Sequence, residues 1–159
     1  MRIEALLAAR GLVLPPAPTP PPDVAFAFAW VRVRGDRAYR AGHGPQFADG
    51  TFGPVGRVGA ELSVDAGYEA ARRAGLAMLG TLRRALGDLD RVTAWLTVTG
   101  MVNAAPGLTQ STAVLNGFSD LILELYGPER GRHARTAIGA AALPLNNAVV
   151  ISAEVAFTT

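Results

Sequence analysis

The sequence predicts an α+β fold in which a single mixed sheet carries two helices on one face. Segments 63–86 and 111–126 repeat apolar residues every three or four positions, as amphipathic helices do. Segments rich in β-branched and aromatic residues surround them, and one of these, 92–99, alternates with a period of two. The predicted order is therefore ββαβαββ. The 159 residues suffice for one buried core but not for two ordinary domains.

The N-terminal segment 1–22 is predicted to be a short helix followed by a proline-rich arm, and 23–159 the main domain. Residues 3–10 favour a helix that Gly11 ends. The prolines of 15–22 favour an extended conformation, because each ring fixes φ and removes a backbone donor. This arm is either a flexible linker or a clamp packed on the domain.

Residues 23–41 are predicted to form two strands joined by a hairpin at Gly35-Asp36, because the segment is otherwise rich in Phe, Trp, Val and Tyr. The glycine-rich stretch 42–59 has neither GxxxxGK[ST] nor GxGxxG between a strand and a helix, which excludes a phosphate-binding loop. Its glycines are expected in turns or where the backbone lies close to a ligand.

Helix 63–86 is predicted to begin after Ser63 as its N-cap and to end at Gly87. The second helix, 111–126, should end at Gly127-Pro128. Final strands near 134–141 and 148–157 are joined by a turn at 143–147. The last strand has one apolar face and one mixed face, so we expect other subunits to cover the second face of the sheet.

The composition excludes several kinds of chemistry. The chain has no cysteine, which excludes disulfides, a thiol nucleophile and iron–sulfur clusters. All fifteen basic residues are arginine, so no lysine can form a Schiff base with pyridoxal phosphate or a carbonyl substrate. His43 and His133 are the two imidazoles, and neither belongs to an HxH or HExxH pattern. A histidine-rich metal site and ordinary pyridoxal phosphate catalysis are therefore not expected.

Charge and hydropathy give no sign of a nucleic-acid or membrane partner. The formal net charge is +2, and the arginines are scattered in pairs instead of forming one basic block. No stretch reaches the roughly 20 apolar residues of a membrane span, and the first residues lack the pattern of a secretory signal. A soluble, cytoplasmic protein is expected.

Four short motifs, taken in order, resemble the RidA/YjgF family. They are AGHGP at 41–45, VLNG at 114–117, RHARTAIG at 132–139 and LPL at 143–145. The resemblance extends over residues 24–157. It implies a chorismate-mutase-like fold, assembly as a homotrimer with ligand clefts between neighbouring subunits, and no cofactor.

The resemblance also implies site residues. Arg135 matches the family arginine, whose planar fork can hold a carboxylate bidentately, and Asn116 matches an asparagine near the cleft that can donate and accept. Gly42 matches the glycine whose backbone approaches the ligand, Thr136 could contact the carboxylate, and Phe28 lies where the deaminating branch has tyrosine. Each match has a structural alternative: an ion pair or a solvated arginine, an ordinary position on a helix surface, or a turn glycine.

A second departure from the deaminating branch is Val150, which stands where that branch has a glutamate thought to position water. Glu154 lies about 13 Å further along the strand, so we interpret it as a structural or interface charge. His43 could supply an acid or base, although a hydrogen bond to the backbone is the favoured interpretation. His133 is expected to point away from Arg135.

The resemblance implies a trimer that binds a small carboxylate-bearing metabolite and hydrolyses 2-imino or enamine acids to 2-keto acids and ammonia. Val150 and Phe28 keep open a non-catalytic metabolite-binding or scaffolding trimer. An endoribonuclease, an activity often attached to this family, is the least favoured alternative, because no acid–base pair beside a basic groove is recognisable.

Overall fold

Five strands form one mixed sheet in a computed structural model, which describes residues 2–159. The helices are α1 (Arg2–Ala9), α2 (Val64–Leu86) and α3 (Ser111–Gly131), and the strands are β1 (Val31–Arg34), β2 (Arg37–His43), β3 (Val92–Asn103), β4 (Ala134–Ala140) and β5 (Val149–Phe157). In the order β1-β2-β5-β3-β4, strands β3 and β4 are parallel and the other neighbours are antiparallel. The predicted α+β class and element order are confirmed.

Helices α2 and α3 pack on one face of the sheet, as the alternation of the last strand predicts. Along β5, Val149, Ile151 and Val155 are buried towards the helices. The residues between them, such as Val150 and Glu154, keep part of their surface exposed. We call this second side of the sheet the open face. Its mixed composition confirms the predicted difference between the two faces.

Helices α2 and α3 approach each other to backbone distance at Gly117. A Cβ atom added to Gly117 would lie 1.9 Å from the carbonyl oxygen of Tyr68. Seven residues after Tyr68 in α2, a Cβ atom at Gly75 would lie 2.9 Å from the side chain of Leu121. Glycine in both helices therefore lets the pair pack closely enough to fit over the sheet.

Two predicted boundaries are wrong. Residues 23–30 form no strand; β1 begins at Val31, and the aromatic rings of Phe26, Phe28 and Trp30 pack on one another with centroids 4.9 to 5.6 Å apart. Helix α3 runs past the predicted stop to Gly131. Gly127 does leave the helical conformation, at φ 71°, but the following proline starts a last helical turn because its fixed φ suits that position.

The N-terminal segment packs against the rest of the chain. Ile3 and Leu7 of α1 belong to the same hydrophobic core as the sheet. The carbonyl oxygen of Pro15 accepts a hydrogen bond from Arg84 Nη1 at 3.3 Å. Helix α1 and the start of the arm at Pro15 are thus in contact with the main domain. Within residues 2–159, no helix has both the length and the apolar character needed to cross a bilayer.

The contact at Gly117 gives a first prediction. Gly117→Ala should lower the free energy of unfolding by roughly 1–3 kcal/mol, although alanine favours a helix, because the new methyl group overlaps the backbone of α2. Urea denaturation at fixed protein concentration measures the change. Ala113→Ser, at an exposed position of the same helix, is the control. Equal stability of the two variants would contradict the close packing.

Candidate functional site

The Arg135 side chain is held by helix α3. Its Nη1 donates to Asn116 Oδ1 and to Ser119 Oγ, both at 2.9 Å, and its Nη2 donates to the carbonyl oxygen of Thr112 at 3.3 Å. Nε and the second Nη2 hydrogen make no hydrogen bond within residues 2–159. Partial burial lowers the pKa of Arg135. The guanidinium group is therefore held in place, and Nε and one Nη2 hydrogen remain available to a ligand.

His133 lies behind Ser119 in the same network. Its Nδ1 is 2.8 Å from the carbonyl oxygen of Gly131 and its Nε2 is 2.8 Å from Ser119 Oγ. Because a carbonyl can only accept, Nδ1 carries the proton, and Nε2 of the neutral ring accepts from the hydroxyl. Burial lowers the pKa of His133, and the nearby charge of Arg135 lowers it further. The ring therefore helps to orient Ser119 towards Arg135.

The expected orientation of His133 is wrong. Residues two apart in extended chain point to the same side, so His133 and Arg135 both face α3. Their shared contact with Ser119 follows from that placement.

A cavity of about 200 Å³ lies beside β2 and β5 on the open face. Gly42 borders it without a side chain; a Cβ atom there would lie 2.6 Å from Val150 Cγ1. The only polar side chain among its lining residues belongs to Asn147, which is 5% exposed. Asn147 Oδ1 has no hydrogen-bond partner within residues 2–159. The apolar walls are Phe26, Phe28, Trp30, Phe52, Leu145 and Val150.

A single chain divides the five predicted site residues between two places. Phe28 and Gly42 line the cavity, whereas Arg135 and Asn116 bond to each other next to α3. Thr136 is exposed on the open face of β4. Strands β5 and β3 separate β2 from β4, which is three strand spacings or about 14 Å. Within one copy, the arginine and the cavity therefore do not meet.

His43 lies on the opposite side of β2 from the cavity, against α2. It is 1% exposed, with Nδ1 2.7 Å from the carbonyl oxygen of Ala41 and Nε2 3.0 Å from Thr81 Oγ1. Burial lowers its pKa to about 4, and the charges of Arg40 and Arg84 act in the same direction. The ring is neutral near pH 7 and hydrogen bonded to the backbone, which is the interpretation favoured for His43 in the sequence analysis.

Three residues that contribute to the site were not predicted from the sequence. Thr112 and Ser119 lie four residues before and three residues after Asn116, so helical spacing alone places them on its side of α3. That signal was present. No sequence pattern indicated a role for Asn147 in the site, because an asparagine after Leu-Pro-Leu-Asn is ordinary in a turn.

One group of carboxylates could hold a cation, but it is apart from the site. Glu4, Asp88 and Asp90 have oxygen atoms within 4.8 Å of one another. None of the three lines the cavity or bonds to Arg135. The group is formed by α1 and the turn before β3.

A family model described as "YjgF/chorismate mutase-like, putative endoribonuclease" matches residues 6–155. The chain belongs to this family. The YjgF family model thus includes both the Arg135 network and the cavity, and the resemblance of the four motifs is confirmed.

The chain is also similar to individual proteins. Protein TCP17 of Trypanosoma cruzi is 46% identical over 101 residues, which are 64% of this chain and 63% of that protein, just under two thirds of its length. The structure titled as a putative endoribonuclease of Shewanella oneidensis has a TM-score of 0.90 at 28% identity, over 99% of this chain and 100% of that one. E. coli TdcF with bound serine shares the fold, with a TM-score of 0.60 at 14% identity over 89% and 94% of the chains.

The support of Arg135 by Ser119 gives a second prediction. Ser119→Ala should loosen the guanidinium, because one Nη1 bond is lost and the hydroxyl no longer links it to His133. Nitrogen-15 relaxation of Arg135 Nε measures the motion. Thr112→Ala is the matched control, since only the backbone oxygen of Thr112 accepts from Arg135. Equal order parameters in both variants would contradict the role of Ser119.

The burial of His43 gives a prediction for pH. The unfolded chain protonates this ring near pH 6.5 while the folded chain keeps it neutral to about pH 4, so stability is lost as the pH falls between these values. The loss from His43 should be about 2 kcal/mol at pH 5. His43→Gln should remove this part of the pH dependence, whatever its effect on stability at pH 7. An unchanged slope in urea titrations at fixed protein concentration would contradict the assignment.

Proposed function

We propose that the protein is a homotrimer that binds a small carboxylate-bearing metabolite between neighbouring copies and hydrolyses 2-imino and enamine acids to 2-keto acids and ammonia. The observation that carries the proposal is the guanidinium of Arg135. Helix α3 fixes it through three hydrogen bonds, while Nε and one Nη2 hydrogen stay free. A planar cation of that kind binds a carboxylate with two parallel hydrogen bonds.

The separation of the two groups of site residues supports assembly. In one copy the Arg135 fork and the cavity face opposite sides of the sheet, and the strands that carry Arg135 and Gly42, β4 and β2, are about 14 Å apart. Apolar side chains on the outer surface, including Tyr39 at 42% and Ile138 at 48%, are unusually exposed. A neighbouring copy that covered the open face would bury such residues and could bring its own Arg135 to the cavity. Three copies are the assembly that the family resemblance implies.

The chemistry needs little from the protein beyond orientation. An enamine acid gains a proton at C3 and becomes the iminium; the oxygen of water then adds to C2, and a proton moves from that oxygen to the nitrogen. The C–N bond of the adduct breaks, ammonia leaves, the remaining hydroxyl loses its proton, and the 2-keto acid is formed. Arg135 would hold the carboxylate next to C2, and this positioning lowers the barrier to attack. Val150 and Phe28 offer no acid or base, so we expect a modest rate.

Val150 favours one alternative, a trimer that binds the same ligand without turnover. In that case the arginine site would be intact, but no group would activate water. The bound serine of TdcF, a carboxylate with a nitrogen on the neighbouring carbon, is the kind of ligand that both versions predict. The endoribonuclease activity named in the family description has less support, because His43 and His133 are each engaged at both ring nitrogens.

The test is ammonia release from freshly generated 2-aminoacrylate and from a panel of 2-imino acids. Arg135→Ala should lower the rate at least tenfold, because a charged hydrogen-bonding partner of the carboxylate is lost. Arg132→Ala is the matched control, an exposed arginine three positions away that makes no contact with the network. Light scattering should give a mass three times that of the 16.6 kDa chain.

The outcomes separate the alternatives. Folded wild type that releases no ammonia but binds pyruvate in an Arg135-dependent way would establish the binding trimer. Full activity in Arg135→Ala, or a monomer in solution, would contradict the proposed site.

A further inference from the structure

The cavity on the open face is larger than a small metabolite requires. Its volume is about 200 Å³, and an apolar cavity of about 150 Å³ is enough to take up benzene. The side chain of 2-aminoacrylate is a single CH₂ group, which would leave most of this space unfilled. The volume matches a six-membered ring or a branched side chain.

The walls suit an aromatic ligand. Trp30 meets Phe26 edge-on, with centroids 5.1 Å apart and planes at 84°, and Phe28 at 4.9 Å and 73°. The ring of His43 also packs on Trp30, with centroids 5.0 Å apart, so the ring surface available to a ligand belongs to Phe28. Phe28 remains 52% exposed, an unusual position for so large an apolar side chain. Val150 continues the apolar wall at the position where the deaminating branch has an acid.

One buried acceptor stands among these apolar groups. Asn147 lines the cavity and is 5% exposed, and its Oδ1 has no partner within residues 2–159. A Cβ atom at Gly44 would lie 2.8 Å from this amide, so any larger residue at position 44 would clash with the Asn147 side chain. Leaving a buried acceptor unmatched costs free energy, which a donor on a ligand would recover.

We infer that the cavity binds the side chain of an aromatic or similarly bulky 2-imino acid, and that Asn147 Oδ1 accepts a hydrogen bond from the nitrogen of that ligand. The inference rests on the proposed function, because Arg135 of a neighbouring copy would hold the carboxylate. It adds a substrate class to that function: bulky apolar substrates are preferred to small ones.

The first experiment compares two 2-keto acids that differ only in the side chain. Phenylpyruvate should bind wild type at least tenfold more tightly than pyruvate in calorimetry. Phe28→Ser should reduce that ratio to about twofold, because it removes an apolar wall that the ring of phenylpyruvate would contact. Phe47→Ser is the matched control, a phenylalanine of 39% exposure outside the cavity. It should keep the full ratio.

Failure of this inference can be told from failure of the proposed function. Equal binding of both keto acids, lost in Arg135→Ala, would overturn the substrate class and keep the carboxylate site. Binding of neither keto acid would overturn both. Equal losses in Phe28→Ser and Phe47→Ser would also overturn the role of the cavity.

A second pair of probes addresses Asn147. L-phenylalanine and 3-phenylpropanoate share the ring and the carboxylate but differ in the nitrogen. Wild type should prefer L-phenylalanine severalfold, and Asn147→Ala, or Asn147→Ser if the first variant fails to fold, should lose the preference. A preference that persists in the folded variant would overturn the role of Asn147.

Discussion

Helices α2 and α3 cover only one face of the five-stranded sheet, and the rest of the architecture depends on how closely they do so. At Gly117 there is no room between the helices for even one methyl group. This packing holds α3 at a fixed height above β4, where its polar residues Asn116 and Ser119 meet Arg135. The open face keeps its partly apolar residues and the cavity beside Gly42. One packing constraint thus separates an anchored cation from an apolar pocket.

The polar groups within the covered side are arranged so that the imidazoles stay neutral while the arginines stay charged. His43 and His133 each use Nδ1 to donate to a backbone carbonyl, and burial lowers the pKa of both rings. Arg40 is the extreme case, 4% exposed and 5.2 Å from the ring centroid of Trp95, with its pKa lowered to about 9 by burial. At neutral pH the positive charge is therefore carried by guanidinium groups, and both histidines are neutral hydrogen-bonding partners.

The parts of the fold that depend on local patterns could be predicted from the sequence. The helical period and the alternation of β5 gave boundaries within a few residues, because each element buries one side of itself. The strand prediction for segment 23–30 was wrong because its aromatic residues have strand propensity but pack on one another around a cavity. The separation of Arg135 from Gly42 follows from the strand order, which no local pattern contains. The burial of Asn147 likewise depends on distant chain segments meeting.

The replacement of an acid by Val150 has two consequences that belong together. A carboxylate at this position would face Phe28 and Trp30, and the burial of its charge among such groups would cost free energy unless it were paired. Valine removes that cost and extends the apolar wall of the cavity. The same change removes the group that could orient water. Under the proposed function, such a protein would give up part of its catalytic power and gain apolar contact with its ligand, so its selectivity should depend more on side-chain fit than on chemistry at C2.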